Sequence, residues 1–164
     1  MGVRFALARM IGEKADPARF ATLLPQVDAS LRRLSRGRVD FARLGRVPGL
    51  VLLVHGRRSG RLREVALQAR AVDGGWVVCG SNWGLPDDPA WVLNLRVDPR
   101  PAVQIRGRRR PVTARELHGE ERERMWARLI AVWPAFDGYR ERSGRTIPLF
   151  LLTPTDGPGP ATAL

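Results

Sequence analysis

The tightest grouping of residues with chemical potential lies at 56–60, where the chain reads Gly-Arg-Arg-Ser-Gly, with Arg63 three residues further on. Two glycines around two guanidinium groups and a hydroxyl predict a tight turn whose backbone N–H groups point at an anion. Arginine binds phosphate or carboxylate through paired, charge-assisted hydrogen bonds. The spacing therefore predicts an anion site, and the alternative is an ordinary charged hairpin turn.

Residues for metal or nucleophilic chemistry are scarce in this sequence. Cys79 is the single cysteine, so a disulfide within the chain is excluded and a cysteine-based metal site is disfavoured. His55 and His118 are the two histidines, and they fall in separate strand-like segments. No Ser–His–Asp grouping is present. We expect Cys79 to behave as a small buried hydrophobe.

The composition indicates one packed, strongly basic domain. The chain has 164 residues, 44% of them hydrophobic, with a formal net charge of +12 and Lys14 as the sole lysine. A polyanionic ligand, nucleic acid or an anionic membrane would each suit this charge. The nucleic-acid alternative lacks a recognition-helix or RNP-like motif, and no aromatic residue interrupts the basic run at 106–110.

The order of elements predicts an α+β domain with an antiparallel sheet or small barrel, because short strands follow one another with turns between them. Helices are expected over 90–96, from Gly119 onward, and from Pro134 to Arg142. The predicted strands are 50–55, 62–72, 76–80, 102–106, 110–117 and 147–152.

Three ranges divide the predicted organisation. Residues 1–49 form an N-terminal helical extension, 50–154 the barrel domain, and 155–164 a loose tail. The first 11 residues match a basic amphipathic helix, which either rests on a membrane surface or packs on the domain.

Three segments of the chain are informative when they are considered together, in their order and spacing. They are Gly-Arg-Arg-Ser-Gly-x-x-Arg at 56–63, Ser-Asn-Trp-Gly at 81–84 leading into 89–95, and Trp-Pro-Ala-Phe-Asp-Gly-Tyr at 133–139 leading into 145–148. Together they resemble the deazaflavin-dependent nitroreductase family of actinobacteria, split-β-barrel proteins that bind coenzyme F-420. The family's turn reads Thr-Gly-Arg-Lys-Ser-Gly-x-x-Arg-x-x-Pro-Leu, and here His55, Arg58 and Ala66 replace Thr, Lys and Pro. The resemblance implies a split antiparallel β-barrel with flanking helices.

The same resemblance implies two sets of coenzyme contacts. Side chains of the turn hold the phosphate and glutamate tail: Arg57, Arg58, Ser59 and Arg63. The deazaflavin ring is bordered by Cys79, Gly80, Ser81, Asn82, Ala90, Trp91 and Asn94. Three of these have plainer alternatives: Trp91 as a core residue, Asn94 as a partner of backbone groups, and Ser81 as a turn residue.

Four aromatic residues are expected to enclose the acceptor, namely Trp83, Trp133, Phe136 and Tyr139. Ser81 and Tyr139 are the candidate catalytic residues, which would orient or protonate the acceptor. Members of the family that reduce nitro compounds tend to carry tyrosines along this helix, so Phe136 implies poor nitro reduction and retained quinone reduction. The alternative for these aromatics is a core stripe.

The predicted function is hydride transfer from reduced coenzyme F-420 to an electron-poor acceptor: a quinone, an activated alkene or a nitro compound. FMN is the second cofactor candidate. We expect a cytoplasmic monomer or homodimer, and membrane contact through the N-terminal helix stays one of the two alternatives for that segment. A non-catalytic carrier of deazaflavin or another anion is the first alternative, and a nucleic-acid-binding protein is the second.

Overall fold

The computed structural model describes residues 49–157. The predictions for 1–48 and 158–164 lie outside the described residues. The strands are β1 Gly49–His55, β2 Leu62–Val72, β3 Gly75–Cys79, β4 Ala102–Ile105, β5 Arg108–Glu116 and β6 Leu149–Pro154. The helices are α1 Ala90–Val97, α2 Gly119–Val132 and α3 Ala135–Ser143, with a short 3-10 turn at Asn82–Gly84.

The six strands close into one antiparallel barrel in the order β1-β2-β3-β6-β5-β4, with β4 returning to β1. The long strand β2 pairs with β1 through its first seven residues and with β3 through its last four. The long strand β5 is likewise shared between β4 and β6. Two half-barrels that share β2 and β5 confirm the predicted α+β split barrel.

The barrel interior is filled by alternate residues of the strands and by one helix. Leu52, Val103 and Phe150 face inward, as expected for strands whose side chains alternate between faces. Helix α1 contributes Trp91 to the same core, where its ring meets that of Phe150 edge-on at 5.9 Å. Packing of α1 into the barrel therefore fixes the helix relative to the strands.

A second core lies on the outer face of the barrel, where α2 and α3 cover β3 and β6. Its members include Val77 of β3 and Leu149 of β6 together with Trp126, Phe136 and Tyr139 from the two helices. Among the described residues, no helix is long and apolar enough to cross a membrane.

The predicted strand boundaries differ from the structure mainly at the β4–β5 hairpin. Arg106 and Gly107 both have positive φ, 50° and 81°, and form its two-residue turn, so β5 begins at Arg108 and not at 110. The final strand begins at Leu149 and not at 147, because Ile147 and Pro148 still belong to the connection from α3.

Candidate active site

The turn at 56–60 joins β1 to β2 and is closed by its own backbone. The N–H groups of Ser59 and Gly60 donate to the Gly56 carbonyl oxygen at 3.1 and 2.8 Å, and the Gly56 N–H donates to Arg61 O at 2.9 Å. Gly60 has φ 63°, which glycine adopts without strain. The expectation that these N–H groups point at an anion is wrong, because they donate inside the protein.

The side chains of the turn remain available to an anion. Arg57, Arg58, Arg61 and Arg63 are exposed, and within residues 49–157 none of them lies within ion-pair distance of a carboxylate. Arg63 pairs with Val54, an inward-facing residue, so Arg63 projects from the inner face at the end of the barrel.

The turn is anchored to α1 by Asn94. This side chain is only 5% exposed, and its Oδ1 accepts hydrogen bonds from the backbone N–H of Arg57 at 3.1 Å and from Nη1 of Arg57 at 3.4 Å. A buried amide oxygen with two donors is satisfied. Asn94 thus takes the role of a backbone partner, which was its plainer alternative, and it holds the arginine turn against the helix.

The segment 80–88 approaches the same helix at Val92, two residues before Asn94, and Gly80 permits the close approach. A Cβ atom there would lie 2.8 Å from Val92 Cγ2 and 2.9 Å from Pro148 Cγ. The Gly80 N–H donates to the Pro148 carbonyl oxygen at 2.9 Å. Helix α1 therefore lies between the arginine turn and the segment that carries Ser81, and it contacts both.

The backbone of this segment has positive φ at two consecutive residues, Asn82 and Trp83. Asn82 and Trp83 have φ values of 46° and 57°, a region that asparagine tolerates but that a bulky residue such as tryptophan seldom adopts. Three bonds hold them there: Gly84 N–H to Ser81 O at 2.9 Å, Asn82 Nδ2 to Asp87 O at 2.9 Å, and a donor from Arg142 to Trp83 O at 3.2 Å. Strain of this kind is concentrated at functional sites, which supports the segment as part of a site.

The four aromatic residues predicted to enclose the acceptor differ in how deeply they are buried. Phe136 and Tyr139 are 6% and 5% exposed and belong to the outer core, with their ring centroids 6.1 Å apart. Trp83 and Trp133 are half-buried at the edge of that core, and Trp83 meets Tyr139 edge-on at 6.1 Å. Packing explains Phe136 and Tyr139, while Trp83 and Trp133 retain a surface that an acceptor could touch.

Two titratable groups that border the 80–88 segment have raised pKa values. Burial raises the pKa of the Cys79 thiol to about 12, although the Ser81 N–H donates to its sulfur. Burial also raises the pKa of the Tyr139 hydroxyl, opposed by the Arg142 guanidinium and by a hydrogen bond with Trp133. A neutral thiol next to the segment excludes Cys79 as a thiolate nucleophile at neutral pH.

The remaining predicted contacts also border α1. Ala90 is exposed at the first position of the helix, whereas Trp91 is buried in the barrel core, which favours the core interpretation of its ring. One residue that the sequence reasoning did not select is Arg145, whose guanidinium binds the 80–88 segment along its length. The signal for Arg145 in the sequence was its position directly after Gly144, the residue that ends α3.

The model of one protein family, described as F420H(2)-dependent quinone reductase, matches residues 26–154 of this sequence. The chain belongs to this family. The match starts at residue 26, within the range predicted as an N-terminal extension. The family resemblance, the coenzyme and the reductase class read from the sequence are thereby confirmed, and the chain is an F-420-dependent reductase.

Individual relatives agree with this membership. Rv3178 of Mycobacterium tuberculosis H37Rv is 32% identical over 108 residues, which cover 66% of this chain and 91% of Rv3178. The F420H(2)-dependent quinone reductase Rv1261c of the same strain is 26% identical over 128 residues, covering 76% of this chain and 85% of its own. The solved F420-H2 dependent reductase FDR-A is 33% identical with a TM-score of 0.59, covering 64% of this chain and 93% of its own.

Proposed function

We propose that this member of the quinone reductase family reduces a quinone with hydride from reduced F-420, and that the coenzyme is held between the arginine turn and the 80–82 segment. The observation that carries this proposal is the set of four exposed arginines at 57–63 without carboxylate partners in the described range. Elsewhere in that range arginines do form such pairs, for example Arg96 with Asp88 and Glu116.

The charge of the turn suits the tail of the coenzyme, which carries a phosphate and glutamate carboxylates. Exposed guanidinium groups bind such oxyanions without first releasing a protein carboxylate. Asn94 supports this role indirectly, because it fixes the backbone from which Arg57 projects. The tail would therefore lie along the turn and the inner face of β2 at Arg63.

The other end of the coenzyme would meet Ser81 across α1. The reduced deazaflavin supplies the hydride when bound, so the protein needs to orient the two reactants, exclude water and stabilise developing charge. The Ser81 hydroxyl is the candidate to orient or protonate an acceptor oxygen. Tyr139 is buried beneath Trp83, so we assign it to supporting that ring, and we assign Trp83 and Trp133 to the acceptor wall.

A quinone suits this arrangement because its reduction needs little acid–base help from the protein. A reduced quinone oxygen takes its proton from water, whereas a nitro group gains more from a positioned acid, which typically contributes 10²–10⁴-fold. The names of the relatives point to the same acceptor class. Because one structural relative, 29% identical with a TM-score of 0.61, is a domain-swapped dimer, we propose a homodimer as the assembly to test first.

Coenzyme titration followed by turnover tests the proposal. Purified full-length protein is mixed separately with reduced F-420 and reduced FMN, and menadione is then added. We expect tight binding and oxidation of F-420 and weak binding of FMN. Binding of F-420 without oxidation by menadione would favour the carrier alternative, and binding of neither would refute the coenzyme site. Salt-resistant binding of duplex DNA would instead favour the nucleic-acid alternative.

A further inference from the structure

One arginine outside the turn holds the 80–88 segment in place. Arg145 lies between α3 and β6, and its side chain is 15% exposed. Its Nη2 donates to the carbonyl oxygens of Gly80 at 2.9 Å and Ser81 at 3.1 Å, and its Nε donates to that of Leu85 at 3.2 Å. Its Nη1 binds Asp88 Oδ1 at 2.5 Å. A single guanidinium thus satisfies acceptors at both ends of the segment.

The pairing of Asp88 extends this attachment to the rest of the site. Its Oδ2 accepts a hydrogen bond from Arg96 of α1 at 2.7 Å. Arg96 also donates to both carboxylate oxygens of Glu116 on β5, at 2.7 and 2.9 Å. Carboxylates shared between guanidinium groups form networks that are stronger than isolated surface pairs. The segment is therefore tied to α1 and to the barrel through Arg145 and Asp88.

The bonds of Arg145 determine which way the peptide groups around Ser81 point. With the Gly80 and Ser81 carbonyl oxygens turned toward the guanidinium, the Ser81 N–H is directed at the Cys79 sulfur. The strained Asn82–Trp83 pair follows at once. A backbone with positive φ at two residues persists only where the surroundings over-determine it, and Arg145 contributes by fixing the Ser81 carbonyl oxygen that the Gly84 N–H also binds.

We propose that Arg145 is a positioning residue for hydride transfer: it fixes the Gly80 and Ser81 peptides so that Ser81 and the following turn meet the deazaflavin ring and acceptor in one geometry. This rests on the proposed function. It differs from the role of the turn arginines, because Arg145 acts through the backbone and not through contact with the coenzyme.

The variant Arg145→Lys tests this role. An ammonium keeps the charge opposite Asp88 but cannot reach all four acceptors with the fork geometry of arginine. We expect hydrogen exchange of amides in 80–88 to accelerate about tenfold or more, reflecting local opening. The single-turnover rate at which menadione oxidises bound, reduced F-420 should fall about 100-fold, as a misplacement of about 1 Å can cause. Coenzyme affinity should stay within roughly threefold, since charge-assisted contacts at the turn are intact.

A matched control and a second variant separate positioning from folding. Arg115→Lys disrupts an exposed fork on Glu121 away from the segment and should leave exchange, affinity and rate unchanged. Asp88→Asn keeps the side-chain shape and the three carbonyl bonds of Arg145. It should therefore accelerate exchange in 80–88 and lower the single-turnover rate, both less than Arg145→Lys does.

Three results would overturn the proposal. One is unchanged exchange in 80–88 for Arg145→Lys, and the second is faster exchange with an unchanged single-turnover rate. The third is an affinity loss equal to the loss of rate, which would make Arg145 a ligand contact. If the unaltered protein binds no F-420, the proposed function fails, and the exchange result still decides whether Arg145 fixes the segment.

Discussion

Removing one guanidinium from the arginine turn should weaken the binding of the coenzyme's tail and leave the contacts of its ring unchanged. In Arg58→Ala the turn keeps its shape, because the bonds that close it are made by backbone groups and by Asn94. Arg58 is exposed and has no carboxylate partner in the described range, so its loss frees no buried charge. A change in affinity therefore reports the contact with the ligand.

The expected magnitude follows from the exposure of the side chain. A hydrogen bond to a charged group contributes roughly 1.5–3 kcal/mol, and solvent screening of an exposed guanidinium favours the lower end of this range. About 1.4 kcal/mol corresponds to a tenfold change in Kd. We expect Arg58→Ala to weaken F-420 about tenfold, with a smaller loss for coenzyme stripped of its glutamates. The rate of hydride transfer at saturation should not change.

The assay is an equilibrium titration of F-420 at fixed ionic strength, with two control variants. Arg58→Lys restores the residue typical of the family and should bind within a few-fold of the unaltered protein. Arg108→Ala removes the same charge from the β4–β5 hairpin, which lies at the opposite end of β1, since Leu53 faces Ala102 and Val51 faces Gln104. Equal losses in Arg58→Ala and Arg108→Ala, or no loss in Arg58→Ala, would refute the anion site.

Four further outcomes are expected. Gly80→Ala should destabilise the fold by about 1–3 kcal/mol in denaturant titration, because the added methyl overlaps two neighbours. Cys79 should resist alkylation at about pH 8.5 until the protein unfolds, since its thiol pKa of about 12 keeps it protonated. Phe136→Tyr should cost about 1–3 kcal/mol by burying a hydroxyl, and it should change quinone and nitro reduction equally. Protein lacking residues 1–14, with Arg4, Arg9 and Lys14, should pellet less with anionic vesicles than the full chain.

Each of these four predictions would be contradicted by a specific result. A neutral Gly80→Ala would mean that α1 and the 80–88 segment can separate, and rapid alkylation of the folded protein would mean that Cys79 opens to solvent. A selective gain in nitro reduction by Phe136→Tyr would restore the substrate-wall interpretation. Equal pelleting of the full and truncated chains would leave the packed-helix alternative for the N-terminal segment.

The strands were predictable from local sequence patterns, whereas the closed barrel was predicted only through the family resemblance. Apolar runs with hairpin signals marked β1, β2 and β3, because Asp73-Gly74-Gly75 is a strong turn sequence. The Arg106-Gly107 turn was missed, since arginine seldom adopts positive φ and the surrounding charge resembled a loop. Closure depends on β4 pairing with β1 across about 50 residues of sequence, and no local pattern encodes such a contact.

The candidate site was predictable only where its chemistry lies in consecutive residues. The turn at 56–60 carries its arginines within one short motif, so their type and spacing were enough to indicate an anion site. The buried positions of Phe136 and Tyr139 follow from how α2 and α3 lie on the barrel, and periodicity does not distinguish a core stripe from a substrate wall. Arg145 was missed because its partners are mostly carbonyl oxygens, which every residue possesses.

Helix α1 contacts both halves of the proposed site, the arginine turn and the 80–88 segment. The packing of α1 in the barrel core therefore sets the distance between these halves. Asn94 binds the arginine turn, Val92 abuts Gly80, and Arg96 reaches Asp88. The same helix is held in the barrel core by Trp91, Val92 and Leu95. Because close-packed interiors transmit small displacements, a change on the inner face of α1 would shift the turn and the 80–88 segment together. The position of α1 in the core thus sets the distance between the tail contacts and the reacting end.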